Sequence, residues 1–263
     1  MTHDIKKRSS RTAAESVPSR ELTQYSAGKT LAVWAAAAVP MGILSWVVAP
    51  ILATMLDGPA PLGEALLILL SIGLAWQFVL VMWLVWREQG SLRWGVLREA
   101  LWLNPPRSPR TGRFGGRVWL ILIPLGLLFF LEGFIPRIAP PAGRDFGAFL
   151  GSQAGEAFFD GAWGWYGLMI ALWVFNTVLG EELLFRGLLL PRMNRAFGRF
   201  DWLVNGVLFA AYHLHMPWAI PTILTDALVL AYPTKRYRSA WIGIAVHSTQ
   251  SVFLAVIVLT LVL

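Results

Sequence analysis

Residues 163–190 read WGWYGLMIALWVFNTVLGEELLFRGLLL. A membrane-crossing helix needs about 20 mostly apolar residues, and here the first 17, up to Leu179, carry no charge. Glu181, Glu182 and Arg186 then interrupt a run that stays apolar to Leu190. An ionisable group inside a span costs roughly 2.5–3.5 kcal/mol on insertion scales, so three together mark a functional candidate. Glu182 and Arg186 are four apart and share one helical face. Glu181 projects about 100° away from them.

The rest of the chain is of the same kind. Of 263 residues, 56% are hydrophobic and 14% charged, and the mean hydropathy is +0.59. A soluble domain carries about 25% charged residues, so this chain could not cover a water-facing surface. Disorder, collagen and a basic nucleic-acid-binding domain fail the same test. No cysteine is present, which removes disulfides, thiolate metal sites and a thiol nucleophile.

Further apolar stretches run over Leu31–Met55, Leu66–Trp86, Val118–Ile135 and Trp241–Leu263. The stretch Trp202–Tyr232 is too long for one helix, and Pro217 and Pro221 divide it into Trp202–Met216 and Ile220–Tyr232. The expected fold is all-α: a polytopic membrane bundle of about seven spans (six to eight). Residues 1–29 are expected as a flexible cytoplasmic tail, and residues 30–263 as the membrane domain. Segments 92–102 and 146–160, with their aromatic residues, are expected to lie at the two interfaces or to be plain connections.

Charge placement supports an N-inside, C-outside orientation. It puts 20 of the 22 lysines and arginines on the cytoplasmic side, leaving only Arg137 and Arg144 outside, as the positive-inside rule expects. The net charge of +7 thus reports topology rather than an affinity for nucleic acid.

Few ionisable residues fall within the spans: Glu132, Glu181, Glu182, Arg186, His213, His215, Asp226 and His247. Counting ~1.5 Å of rise per residue from the cytoplasmic helix ends puts Glu181, His213 and His247 within ~6 Å of one depth. They sit on three different helices, so one buried site in the cytoplasmic half of the membrane is expected. A carboxylate and an imidazole together can activate water, and a second histidine with a hydroxyl beside it can donate to an oxyanion. His215, about 200° round the helix from His213, is expected to pack elsewhere. Asp226 either lines the same cavity or pairs with an arginine. Glu132 is expected near the outer surface, solvated.

Gly180-Glu181-Glu182-Leu183-Leu184-Phe185-Arg186 resembles the E-E-x-x-x-R motif of the CPBP family, the CAAX proteases and bacteriocin-processing enzymes, also called glutamic intramembrane proteases. Phe209-Ala210-Ala211-Tyr212-His213 resembles its F-x-x-x-H motif, and the stretch His247–Ser251 its H-x-x-x-N motif. The resemblance covers roughly residues 163–260, taken as the catalytic core. It implies an intramembrane endopeptidase acting on a peptide or membrane-protein substrate in the bilayer. Glu181 would activate water with His213, and Glu182 and Arg186 would hold the site. Phe209 would pack beside His213, and His247 with residue 251 would form the oxyanion hole. That last position is Ser251, not asparagine, and its hydroxyl is a shorter and less well directed donor. Loss of one oxyanion donor costs ~10²–10³ in rate in other enzymes.

Three alternatives go with this reading. Glu181, His213 and His247 have the ligand types of a zinc hydrolase, but no H-E-x-x-H motif is present, and a metal-independent site is the expectation. A catalytically weak member acting as a membrane scaffold or immunity factor is the second. A small transporter is the third, with no visible inverted repeat in its favour. A bacterial cell membrane is the expected location.

Overall fold

The computed structural model describes residues 22–135 and 138–263. Five helices are long and apolar enough to cross a membrane: α1 (Ala27–Ala53), α2 (Pro61–Gln89), α3 (Gly116–Phe134), α4 (Trp163–Arg192) and, last in the chain, α7 (Ala240–Val262). Between α4 and α7 lie α5 (Asp201–Tyr212) and a broken helix, α6 (220–237). The described residues contain no named strand. The chain is an all-helical integral membrane bundle.

The two segments divided by proline differ from expectation in length. The first stops at Tyr212 rather than Met216, because His213 leaves the helical region at ψ 43°. The second is in pieces, Ile220–Ile223, a π-helical turn Ala227–Ala231, and Tyr232–Tyr237. Neither reaches spanning length, so five long helices and one short broken pair stand where seven spans were expected. Buried Asp201 pairs with Lys235, tying the start of α5 to the end of α6. Gly206 lets the two helices touch, since a Cβ there would overlap Ala227.

The bundle is arranged inside out relative to a soluble protein. Large apolar side chains such as Ile72, Trp76, Trp83, Ile123, Leu127, Val252 and Phe253 face outward, while Gln77, Glu181, Glu182, Arg186, Asn205, His213, Asp226 and His247 are buried. An outer surface this apolar fits lipid, not water.

Residues 1–21 of the expected tail lie outside the described residues. Residues 22–29 are not a free tail, because Tyr25 is fully buried. Its N–H donates to the Arg192 carbonyl at 2.7 Å and its hydroxyl donates to Glu88 at 2.5 Å. Arg192, at the end of α4, pairs with the same Glu88 at 2.8 Å. Burial first, then the bond to Glu88, raises the Tyr25 pKa above the ordinary tyrosine value, so this hydroxyl remains a donor. The sequence around Tyr25 is polar, and one aromatic anchor outweighs it. Segment 146–160 also has structure of its own: Phe158 and Phe159, on a helix over Gln153–Phe159, are buried with Trp173 and Val258.

Candidate active site

Helix α4 is not a regular α-helix where its charges sit. Phe175–Gly180 and Leu183–Leu189 are π-helical, flanking Glu181 and Glu182. The N–H of Glu181 bonds back to the Asn176 carbonyl, five residues earlier. Such widened turns occur often at functional sites. Gly180 permits close approach of α2, since a Cβ there would come within 3.2 Å of the Leu74 carbonyl.

Glu182 links the two sides of the site. Its Oε1 lies 3.1 Å from His247 Nδ1, and its Oε2 lies 3.5 Å from Arg186 Nε. Glu182 and Arg186 are fully buried. A side chain at Gly243 would collide with Glu182 Oε2, so the glycine on α7 makes room for the carboxylate one turn before His247. The guanidinium stacks on Phe209, 4.0 Å from the ring centre. Phe209 is also edge-on to His213 (5.0 Å) and to His247 (6.0 Å). Phe209 thus connects the three motif segments.

His213 and His247 each have one ring nitrogen committed. His213 Nδ1 is 2.9 Å from the Phe209 carbonyl, which can only accept. That nitrogen therefore carries the proton, and Nε2 of the neutral ring keeps its lone pair. His247 Nδ1 donates to Glu182, which leaves its Nε2 for another partner.

The Glu181 carboxylate has an oxygen, Oε2, that is buried without a hydrogen-bond partner among the described residues. Its polar neighbour is Tyr212. The Tyr212 hydroxyl accepts from Gln77 Nε2 at 2.6 Å, and both residues are fully buried. With an amide donating to it, the phenol keeps its own proton to donate. Gln77 and Tyr212 thus bring a polar pair from α2 and α5 up to Glu181 on α4. Neither Gln77 nor Tyr212 is ionised at neutral pH, and a search for charges in spans passes over both. The available signal was Gln77, an amide in the middle of the apolar run Leu66–Trp86.

Ser251 lies one turn beyond His247 on α7, half-buried, and its hydroxyl has no hydrogen-bond partner among the described residues. Gln250 is exposed.

His215 departs from expectation. The helix ends at Tyr212, so the 100° step fails and the chain folds back. The His215 ring lies 5.3 Å from the His213 ring, with its Nδ1 buried and unpartnered. This turn is held from α1: Trp46 Nε1 donates to the Leu214 carbonyl at 2.7 Å, and Ser45 Oγ donates to the His215 carbonyl at 3.3 Å. Arg144 reaches in to Ser45 Oγ and O at 2.9 Å each and stacks 4.0 Å over Trp46. Asp226 is buried, makes no ion pair among the described residues, and lies within electrostatic reach of Glu132, Arg186, Glu182 and Glu181. Glu132 is thus a neighbour of Asp226 rather than an isolated surface carboxylate. Among the described residues no three histidine or acidic side chains are grouped to hold one metal ion.

Residues 163–253 match the family model described as type II CAAX prenyl endopeptidase Rce1-like. Over this segment the chain is similar to the Rce1-like domain of the CAAX proteases. Comparison with curated proteins and with solved structures gives no match. The Rce1-like domain contains all of α4, α5 and α6 and the part of α7 that carries His247 and Ser251. Gln77, Ser45 and Arg144, which buttress it, lie in the N-terminal part of the chain.

Proposed function

We propose that this chain is an intramembrane endopeptidase in which Glu181 and His213 activate water and His247 and Ser251 stabilise the oxyanion. The Rce1-like domain supports an endopeptidase of the CAAX type acting on peptide or protein substrates in the membrane. The observation that carries the atomic assignment is that both imidazoles have Nδ1 held by fixed acceptors, leaving both Nε2 atoms for chemistry. Glu181 takes a proton from water while His213 Nε2 orients it, and the oxygen attacks the scissile carbonyl. The bond from His247 Nδ1 to the Glu182 carboxylate fixes the ring, and a proton on Nε2 is donated to the tetrahedral oxyanion. As the intermediate collapses, the C–N bond breaks and Glu181 returns the proton to the departing amine. The products are one carboxylate and one amine.

Arg186 balances Glu182, and Phe209 packs the two histidines against that pair. No zinc is required. The site lies in the cytoplasmic half of what we take to be a bacterial cell membrane. The test uses protein purified into proteoliposomes with membrane-anchored peptides, prenylated and unprenylated; cleavage that survives His213→Ala would contradict the assignment.

Tyr212→Phe probes the relay. Removing a hydrogen bond to a charged group costs about 1.5–3 kcal/mol, so kcat is expected to fall roughly 10- to 100-fold with the chain still folded. Initial rates at saturating substrate check this.

Serine at position 251, where the motif has asparagine, favours a second reading, a catalytically weak scaffold or immunity factor. If Glu181→Ala and His213→Ala leave a cellular phenotype intact while the protein accumulates, that reading stands.

A further inference from the structure

We propose that the chain binds the phosphate of an anionic phospholipid headgroup in a cavity bounded by Arg107, Arg236 and Arg238. The cavity, about 230 Å³, is built from two segments far apart in sequence. One is the hairpin-like loop at 106–115, closed by the Gly115 N–H to the Pro106 carbonyl (2.9 Å) and the Ser108 N–H to the Arg113 carbonyl (2.8 Å). The other is the turn between α6 and α7. They are joined where the Arg107 N–H donates to the Tyr237 carbonyl at 2.8 Å. Arg107 Nε donates to the Gly112 carbonyl at 3.2 Å, which fixes the guanidinium and leaves its other N–H groups available.

Three features point to an anionic ligand with an apolar body. First, no acidic residue lines the cavity, and none of the three arginines has an ion-pair partner among the described residues. The three arginines are exposed and share one cavity without a counter-charge in its lining, and a phosphate supplies that charge.

Second, the backbone that frames the arginines is fixed. Trp102 and Arg238, the two non-glycines with positive φ among the described residues, follow two short helices. The Leu103 N–H on the Arg98 carbonyl (2.8 Å) and the Ser239 N–H on the Thr234 carbonyl (3.2 Å) close these helix ends in the usual left-handed stop. Both residues line the adjoining cavity of about 410 Å³, which Arg107, Phe114 and Glu99 also border. The Ala240 N–H to the Trp102 carbonyl (2.8 Å) and the Ser239 hydroxyl to the Asn104 carbonyl (2.6 Å) hold the two helix ends together.

Third, Phe114 is 63% exposed beside Arg107. An inorganic anion has no use for this side chain, whereas the acyl chains and glycerol region of a lipid cover it. Basic pockets on the cytoplasmic side of helix bundles suit such headgroups, and this is the side expected to be cytoplasmic.

The test is independent of peptide hydrolysis. The full chain is reconstituted in nanodiscs of phosphatidylcholine with or without phosphatidylglycerol, and retained lipid is read by native mass spectrometry. We expect one phosphatidylglycerol retained per chain. The triple variant Arg107→Gln/Arg236→Gln/Arg238→Gln is expected to weaken retention roughly 100-fold, about fivefold for each arginine. Arg110→Gln/Arg113→Gln/Arg117→Gln removes equal charge outside the cavity and is expected to retain the lipid. Equal loss in both variants, or none in the first, overturns the proposal. Saturable binding of inorganic phosphate in phosphatidylcholine-only discs that displaces the lipid would assign the cavity to a free anion instead. Melting temperatures equal to wild type show that the variants are folded.

Discussion

Glu181→Gln is expected to lower kcat for peptide hydrolysis by roughly 10²–10⁴, the range general acid–base catalysis contributes, while leaving the melting temperature at or above that of the wild type. The carboxylate is 2% exposed, and its Oε2 has no hydrogen-bond partner among the described residues. Burying a neutral amide in its place costs less than burying an anion. The amide is still a polar neighbour for Tyr212, and the bond from Gln77 to Tyr212 is untouched. The substitution removes the base and little else. Single-turnover cleavage and thermal unfolding of the same preparation check the two halves. A lower melting temperature would mean that Glu181 holds the bundle together.

Arg186→Met has the opposite expected signature. The guanidinium is fully buried beside Glu182 and over Phe209. Without it, Glu182 keeps only His247 as a partner of opposite charge, and only while that ring is protonated. Breaking a buried ion pair from one side costs about 3–5 kcal/mol. Unfolding in mixed detergent micelles is expected to shift by that amount, with activity lost in parallel. Glu182→Gln in the Arg186→Met background is expected to recover part of the stability and none of the activity, because His247 then lacks its counter-charge. A double-mutant cycle reads the coupling.

How far the sequence could be read follows from which rules held. Apolar length found all five long helices, since that signal depends only on the thickness of lipid. Counting depth along straight helices expected Glu181, His213 and His247 at one level, and the ring contacts place His213 and His247 on either side of Phe209. The same rule failed for His215. A helical step of 100° was applied beyond Tyr212, where the backbone had already left the helix, and the ring turns back onto His213. Proline placement divided 202–232 in the right region but gave no warning that Ala227–Ala231 is π-helical or that both halves are short. Gln77 and Tyr212 carry no charge, and what they contribute is a hydrogen bond that no charge pattern announces. Arg144 had been assigned only by its side of the membrane. Its contacts with Ser45 and Trp46 are long-range, and no local pattern announces them.

The most direct test of the central claim is product analysis. Wild-type protein and Glu181→Gln are reconstituted side by side, each with a library of membrane-anchored peptides including prenylated C-termini, and the products are sequenced by mass spectrometry in the presence of a metal chelator. The account predicts internal peptide-bond cleavage by the wild type that the variant lacks. Absence of cleavage by the wild type, or the same products from both proteins, would contradict it.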